Sequence, residues 1–234
     1  MPVMEHLAEL RRRLIISLVA VALGGVVAFV FYGHILAWLT HPYCQVIPKG
    51  RSCALFVNDP LQPFVIRLKI AGWGGLFLAS PVVLLQTWRF VTPGLNPNEK
   101  KYAVPFVISS ILLFGLGAAV AILTFPKALQ FLIYVGGTSL VTIFTPTSYL
   151  RLIILMILAF GVAFEFPILL VFLELAGVLT SRRLSSWRRQ AIVVIFIVAA
   201  VITPSQDPFS LFAMAIPMCL FYEGAILVGR LLKR

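Results

Sequence analysis

Long apolar runs, broken by short charged or proline-bearing gaps, set the character of this chain. Six runs have the length of helices, near Leu14–Leu39, Leu68–Gln86, Ala103–Phe125, Tyr149–Leu175, Ala191–Thr203 and Phe209–Val228. A helix needs about 20 mostly apolar residues to cross a bilayer, so the pattern predicts a polytopic membrane protein. The fifth run is short. Its 13 residues between Gln190 and Pro204 make roughly 20 Å of helix against about 30 Å of hydrocarbon. Pro81, Pro105, Pro167 and Pro217 lie within or beside the runs, where neighbouring helices can re-satisfy the freed carbonyls. Two gaps are long: one carries Pro42, Pro48, Pro60 and Pro63, and the other extends from Pro126 to Ser148. Their apolar stretches (CALFV, LIYVGG, LVTIF) predict ordered loops packed on the membrane face.

Charge then sets orientation. Only 12% of residues are charged against 61% hydrophobic, and the mean hydropathy of +1.03 leaves too little polar surface for a water-soluble globule. Arg11, Arg12 and Arg13 precede the first run; Arg89, Lys100 and Lys101 follow the second; Arg182, Arg183, Arg188 and Arg189 follow the fourth; Arg230, Lys233 and Arg234 close the chain. The intervening gaps are poor in Lys and Arg. This alternation predicts six transmembrane helices with both termini in the cytoplasm, and one polytopic membrane domain over residues 1–234. The net charge of +11 belongs to headgroup-facing flanks and not to nucleic-acid binding, because no basic stripe is interleaved with exposed aromatics. Arg11–Arg13 and the run after them look like an export signal, but the run is long enough to span and lacks a small-residue cleavage site. It is expected to stay as the first span.

Few residues offer chemistry. Glu165 lies midway along the fourth run, where an ionised carboxylate costs about 2.5–3.5 kcal/mol; it must face a partner or a wet cavity, and Pro167 should bend the helix beside it. Glu5 and Glu9 share a face of an amphipathic lead-in, with Arg12 or Arg13 in reach of Glu9. Glu99 sits in a cytoplasmic gap. Cys44 and Cys53 share the first outer loop, where a disulfide and two separate thiols are both compatible with the sequence. His6, His34 and His41 form no ligand pattern, and no catalytic or nucleotide-binding motif occurs. No metal, cofactor or enzymatic activity is expected. The absence of a repeat between the halves counts against an alternating-access transporter.

Five segments together carry a resemblance: HLAELRRRL (His6–Leu14), SPVVLLQTWRFVTPGL (Ser80–Leu95), the Asn98–Lys101 turn, AFGVAFEFP ending at Pro167, and AIPMCLFYE (Ala215–Glu223). In this combination the chain resembles the TatC family, the multi-spanning core of the twin-arginine protein translocase. The resemblance implies that Glu9 and Glu99 bind the paired arginines of signal peptides, with Phe90 and Pro93 in the motif around the second. It implies structural roles for Pro42 and Pro81, an intramembrane polar docking point at Glu165, and an acidic residue at Asp207 in the last outer turn. It further implies a bacterial inner-membrane receptor that exports folded proteins on the proton-motive force. Its partners would be twin-arginine signal peptides, TatA- and TatB-like single-span proteins, further copies of itself and the lipid bilayer. A guanidinium fork suits a carboxylate better than an ammonium does, which fits such a role. The alternatives are a small-solute or ion transporter coupled through Glu165, and a structural subunit of another membrane complex.

Overall fold

The computed structural model describes residues 3–47, 55–91, 103–135 and 144–231, and these are helical with no strand among them. The helices are α1 (Val3–Val30), α2 (Tyr32–Val46), α3 (Gln62–Val91), α4 (Ala103–Val135), α5 (Pro146–Ala163), α6 (Phe166–Leu175), α7 (Ser181–Ser186), α8 (Arg188–Ile202) and α9 (Pro208–Leu231). Among the described residues, five stretches are long and apolar enough to cross a membrane: His6–Val30, Gln62–Val91, Val104–Val135, Pro146–Leu175 and Pro208–Leu231. With 15 residues, α8 rises only about 22 Å. The chain divides into two compact units, residues 1–39 with 57–111, and residues 40–56 with 112–234.

In the first unit α1 and α3 run antiparallel and pack backbone to backbone. A Cβ on Gly75 would fall 2.6 Å from both Val21 O and Gly25 N, and one on Gly24 would fall 2.8 Å from Gly75 O. Small residues permit this approach, which is how helices gain van der Waals contact where lipid removes the hydrophobic incentive. Pro81 leaves the carbonyl of Phe77 without its usual amide donor; the Ser80 hydroxyl donates to that carbonyl at 2.8 Å instead, and α3 continues unbroken. At the end of α3, the buried Trp88 Nε1 donates to Ser110 Oγ at 2.5 Å. Its ring stacks on Phe106 at 5.0 Å, fixing the first turns of α4.

The second unit is organised on α9, against which α6, α7 and α8 all pack. Tyr149 of α5 meets Tyr43 at 5.4 Å and Phe125 at 5.6 Å, and Gly117 lets α4 come close to the Phe160 carbonyl. Gly229 on α9 leaves room for the carboxylate of Glu174, which α6 buries there. Arg188 pairs with Glu223 at 2.7 Å, and the Tyr222 hydroxyl donates to Leu184 O at 2.8 Å, so α7 and α8 are both tied to α9.

Several element boundaries differ from the sequence expectation: α1 reaches back to Val3, α3 extends the second run to Gln62–Val91, and the fourth run is divided between α5 and α6. The first span ends at Val30 instead of Leu39: Phe31 forms a turn between α1 and α2, its amide bonding Val27 O and its carbonyl accepting from both His34 N and Ile35 N. The second long gap does not open at Pro126. Instead α4 continues to Val135, because Phe125, Ala128 and Leu129 recur at helical spacing and are fully buried, and one proline removes only a single amide donor.

Candidate functional site

The lead-in to the first span is helical and continuous with it, so Glu9 and Arg13 stand one turn apart on α1. The Arg13 guanidinium donates to Glu9 Oε1 through Nη2, and through Nε at 3.1 Å. Its third nitrogen, Nη1, donates to Gln86 Oε1 on α3 at 3.2 Å. Gln86 is buried, whereas the Glu9 and Arg13 side chains are partly shielded. One further turn along α3, Phe90 stacks on His6 of α1 with ring centroids 4.4 Å apart. Antiparallel packing therefore gathers a carboxylate, a guanidinium, an amide and a stacked ring pair at one end of the α1–α3 pair. A carboxylate offers about four lone-pair sites. Glu9, oriented by Arg13 through one oxygen, can accept a second cationic donor.

Glu99 and Pro93 lie outside the described residues, as does Cys53. Phe90 is in the last turn of α3, from which the chain leaves toward position 99. Cys44 is exposed on α2. Pro42 is buried in the interior of α2 and Pro81 is exposed on α3. Glu165 occupies the turn between α5 and α6: its amide bonds Val162 O at 3.1 Å, and its carbonyl accepts from Ile168 N and Leu169 N. Pro167, in the first turn of α6, lacks an amide hydrogen, so the ladder breaks beside Glu165. The Glu165 side chain is half-buried, with Oε1 shielded from solvent. Asp207 has a structural occupation. It accepts from Ser210 N at 2.8 Å and from Ser205 Oγ at 2.5 Å, capping α9 ahead of Pro208. In the turn between α8 and α9, the Asp207 carboxylate is thus satisfied by Ser205 and the Ser210 amide, while Gln206 is exposed.

The Arg13–Gln86 link and the His6–Phe90 stack are the parts that sequence reasoning missed. A signal existed: Gln86 is a lone amide one helical turn before Phe90, and His6 lies three residues before Glu9. Among the described residues, no group of three or more His, Cys, Asp or Glu could hold a metal ion.

Among the described residues, a wholly helical architecture with five membrane-length stretches and a polar face at the end of one tight helix pair defines a polytopic membrane protein. The family model for TatC, the Sec-independent protein translocase protein, matches residues 5–217, and the chain belongs to that family. It is similar to the Sec-independent protein translocase protein TatC of Frankia casuarinae, 42% identical over 100% of this chain and 67% of the relative. The TatC of Corynebacterium kroppenstedtii is 35% identical, and the match spans 62% of that protein's length. The TatC of Aquifex aeolicus is 41% identical, with 97% of its length covered. Among solved structures, the crystal structure of the twin arginine translocase receptor TatC aligns over 98% of this chain and 100% of that one, with a TM-score of 0.77 at 40% identity.

Proposed function

We propose that this chain is a signal-peptide receptor of the twin-arginine translocase, a multi-pass protein of the bacterial inner membrane. Glu9 and Glu99 take the two guanidinium groups of the signal, and Phe90 and Pro93 shape the face around Glu99. The apolar part of the signal lies along the helices and supplies affinity that charge pairs at a wet interface lack. Six transmembrane helices, with α8 as the short fifth, place both termini and the arginine clusters on the cytoplasmic side. Residues 1–234 act as one polytopic domain. TatA- and TatB-like single-span proteins and further copies of the chain complete the complex, Glu165 offers them an intramembrane polar docking point, and the proton-motive force drives export.

The observation that carries this reading is the linkage of Glu9, through Arg13, to Gln86 near the end of α3, with His6 of the same α1 segment stacked on Phe90 one turn further on. Relatives named as twin arginine translocase receptors support it. The test is precursor capture by membranes holding the full chain. Glu99→Gln should abolish capture of an Arg-Arg precursor, and Glu9→Ala should weaken it, with expression unchanged. Undiminished capture by the double variant would remove the receptor assignment.

A further inference from the structure

Away from the α1–α3 face, one ionisable side chain is sealed inside a helix contact. Glu174, in the last turn of α6, is 1% exposed. Both of its carboxyl oxygens are shielded from solvent, and neither has a hydrogen-bond partner among the described residues. The carboxyl group lies against Gly229 of α9, where a Cβ would collide with Cδ and both oxygens at once. The described charges around it are engaged elsewhere or face outward. On α9, Arg230 donates to Ser185 Oγ at 3.1 Å, and Glu223 is held by Arg188 of α8. The Tyr222 hydroxyl donates to Leu184 O. Arg182 and Arg183 of α7 and Arg189 of α8 are exposed. Cys219 is far from Gly229 along α9, by about 15 Å of helix. Glu165 sits ahead of the first turn of α6, and Tyr149 and Arg151 belong to the first turns of α5.

Electrostatics selects the form of the carboxyl that fits this place. A carboxylate buried without a cation or donors loses its hydration, and it neutralises by taking up a proton. Position adds a second reason. The last carbonyls of a helix carry partial negative charge that disfavours an anion in the final turn, and Glu174 is the penultimate residue of α6. We infer that Glu174 is a proton-binding site, at which the neutral acid lets α6 close on α9. Losing the proton puts a bare charge into the contact and drives the two helices apart there, so rising pH loosens the joint. The consequence reaches further, because α7 and α8 are tied to α9 as well. The inference needs only the packing of α6 on α9 and does not depend on arginine binding at Glu9.

The test uses the full chain in lipid bilayers and difference infrared spectroscopy, which separates the carbonyl stretch of a protonated carboxyl from carboxylate bands. The spectrum of the unchanged protein minus that of Glu174→Gln should show one protonated-carboxyl band at neutral pH, lost on raising the pH. Gly229→Ala, whose methyl takes the place of the carboxyl, should shift or remove that band. Gly224→Ala, where a Cβ meets nothing within 4 Å, should leave it unchanged. Reversible unfolding in mixed micelles supplies an independent readout. The folded chain holds a proton that the unfolded chain has released, so rising pH favours unfolding. The unfolding constant of the unchanged protein, relative to Glu174→Gln, should therefore rise about tenfold per pH unit between about pH 6 and 7. Carboxylate bands alone in the difference spectrum, or a ratio of unfolding constants that ignores pH, would overturn the site, since Glu174 would then be ionised in the folded protein.

Discussion

Replacing Gly75 with Ala adds one methyl group where α1 and α3 touch. That Cβ would stand 2.6 Å from Val21 O, 2.6 Å from Gly25 N and 2.8 Å from Gly25 Cα. All three are backbone atoms, so no flexible side chain can move aside, and the helices must separate by about 1 Å to restore ordinary contact distances near 3.5–4.0 Å. Overpacking of this kind costs about 1–3 kcal/mol. The effect should reach the polar face, because the Arg13–Gln86 bond and the His6–Phe90 stack both bridge the same two helices. Gly72→Ala is the matched control: it lies on the same helix, and a Cβ there meets nothing within 4 Å. Thermal unfolding in detergent and precursor capture in membranes should both fall for Gly75→Ala and stay level for Gly72→Ala. If the two variants behave alike, close packing of α1 on α3 does not hold the face together.

Two further outcomes follow from particular contacts. Asp207→Ala should cost about 0.5–2 kcal/mol in thermal unfolding through the lost cap, leaving the buried Ser210 amide without its acceptor; Asp207→Asn should be milder, and equal stability of all three proteins would deny the cap. At the α5–α6 turn, Glu165→Gln keeps the hydrogen-bonding shape and should preserve complex formation better than Glu165→Leu, whereas full activity in both would assign the residue to packing alone.

Hydrophobic pattern and charge placement made the membrane class legible, and they bracketed α8 closely because Gln190 and Pro204 stand at its two ends. The α1–α2 boundary was hidden, since apolar residues continue through Phe31 and only a one-residue turn separates the two helices. Pro126 misled in the opposite direction: a proline reads as a stop, yet the burial of Phe125, Ala128 and Leu129 carries α4 past it. At the candidate site, Glu9 stood out as an acid in a recognisable segment. Gln86 did not, because an amide at a span end looks like an ordinary interfacial residue until α1 is packed against it. Asp207 was visible as an acid in the turn before α9, while its capping role needed the Asp-Pro-x-Ser spacing to be read as a helix start.

The proposed function stands or falls on whether Glu9 and Glu99 receive paired arginines. A photoreactive residue at position 98 of the full chain, beside an intact Glu99 and in native membranes, tests it most directly with an Arg-Arg precursor and its Lys-Lys counterpart. A crosslink to the Arg-Arg signal that Glu9→Ala diminishes and Lys-Lys largely removes is the expected result. Equal crosslinking of both precursors, unaffected by Glu9→Ala, would contradict it.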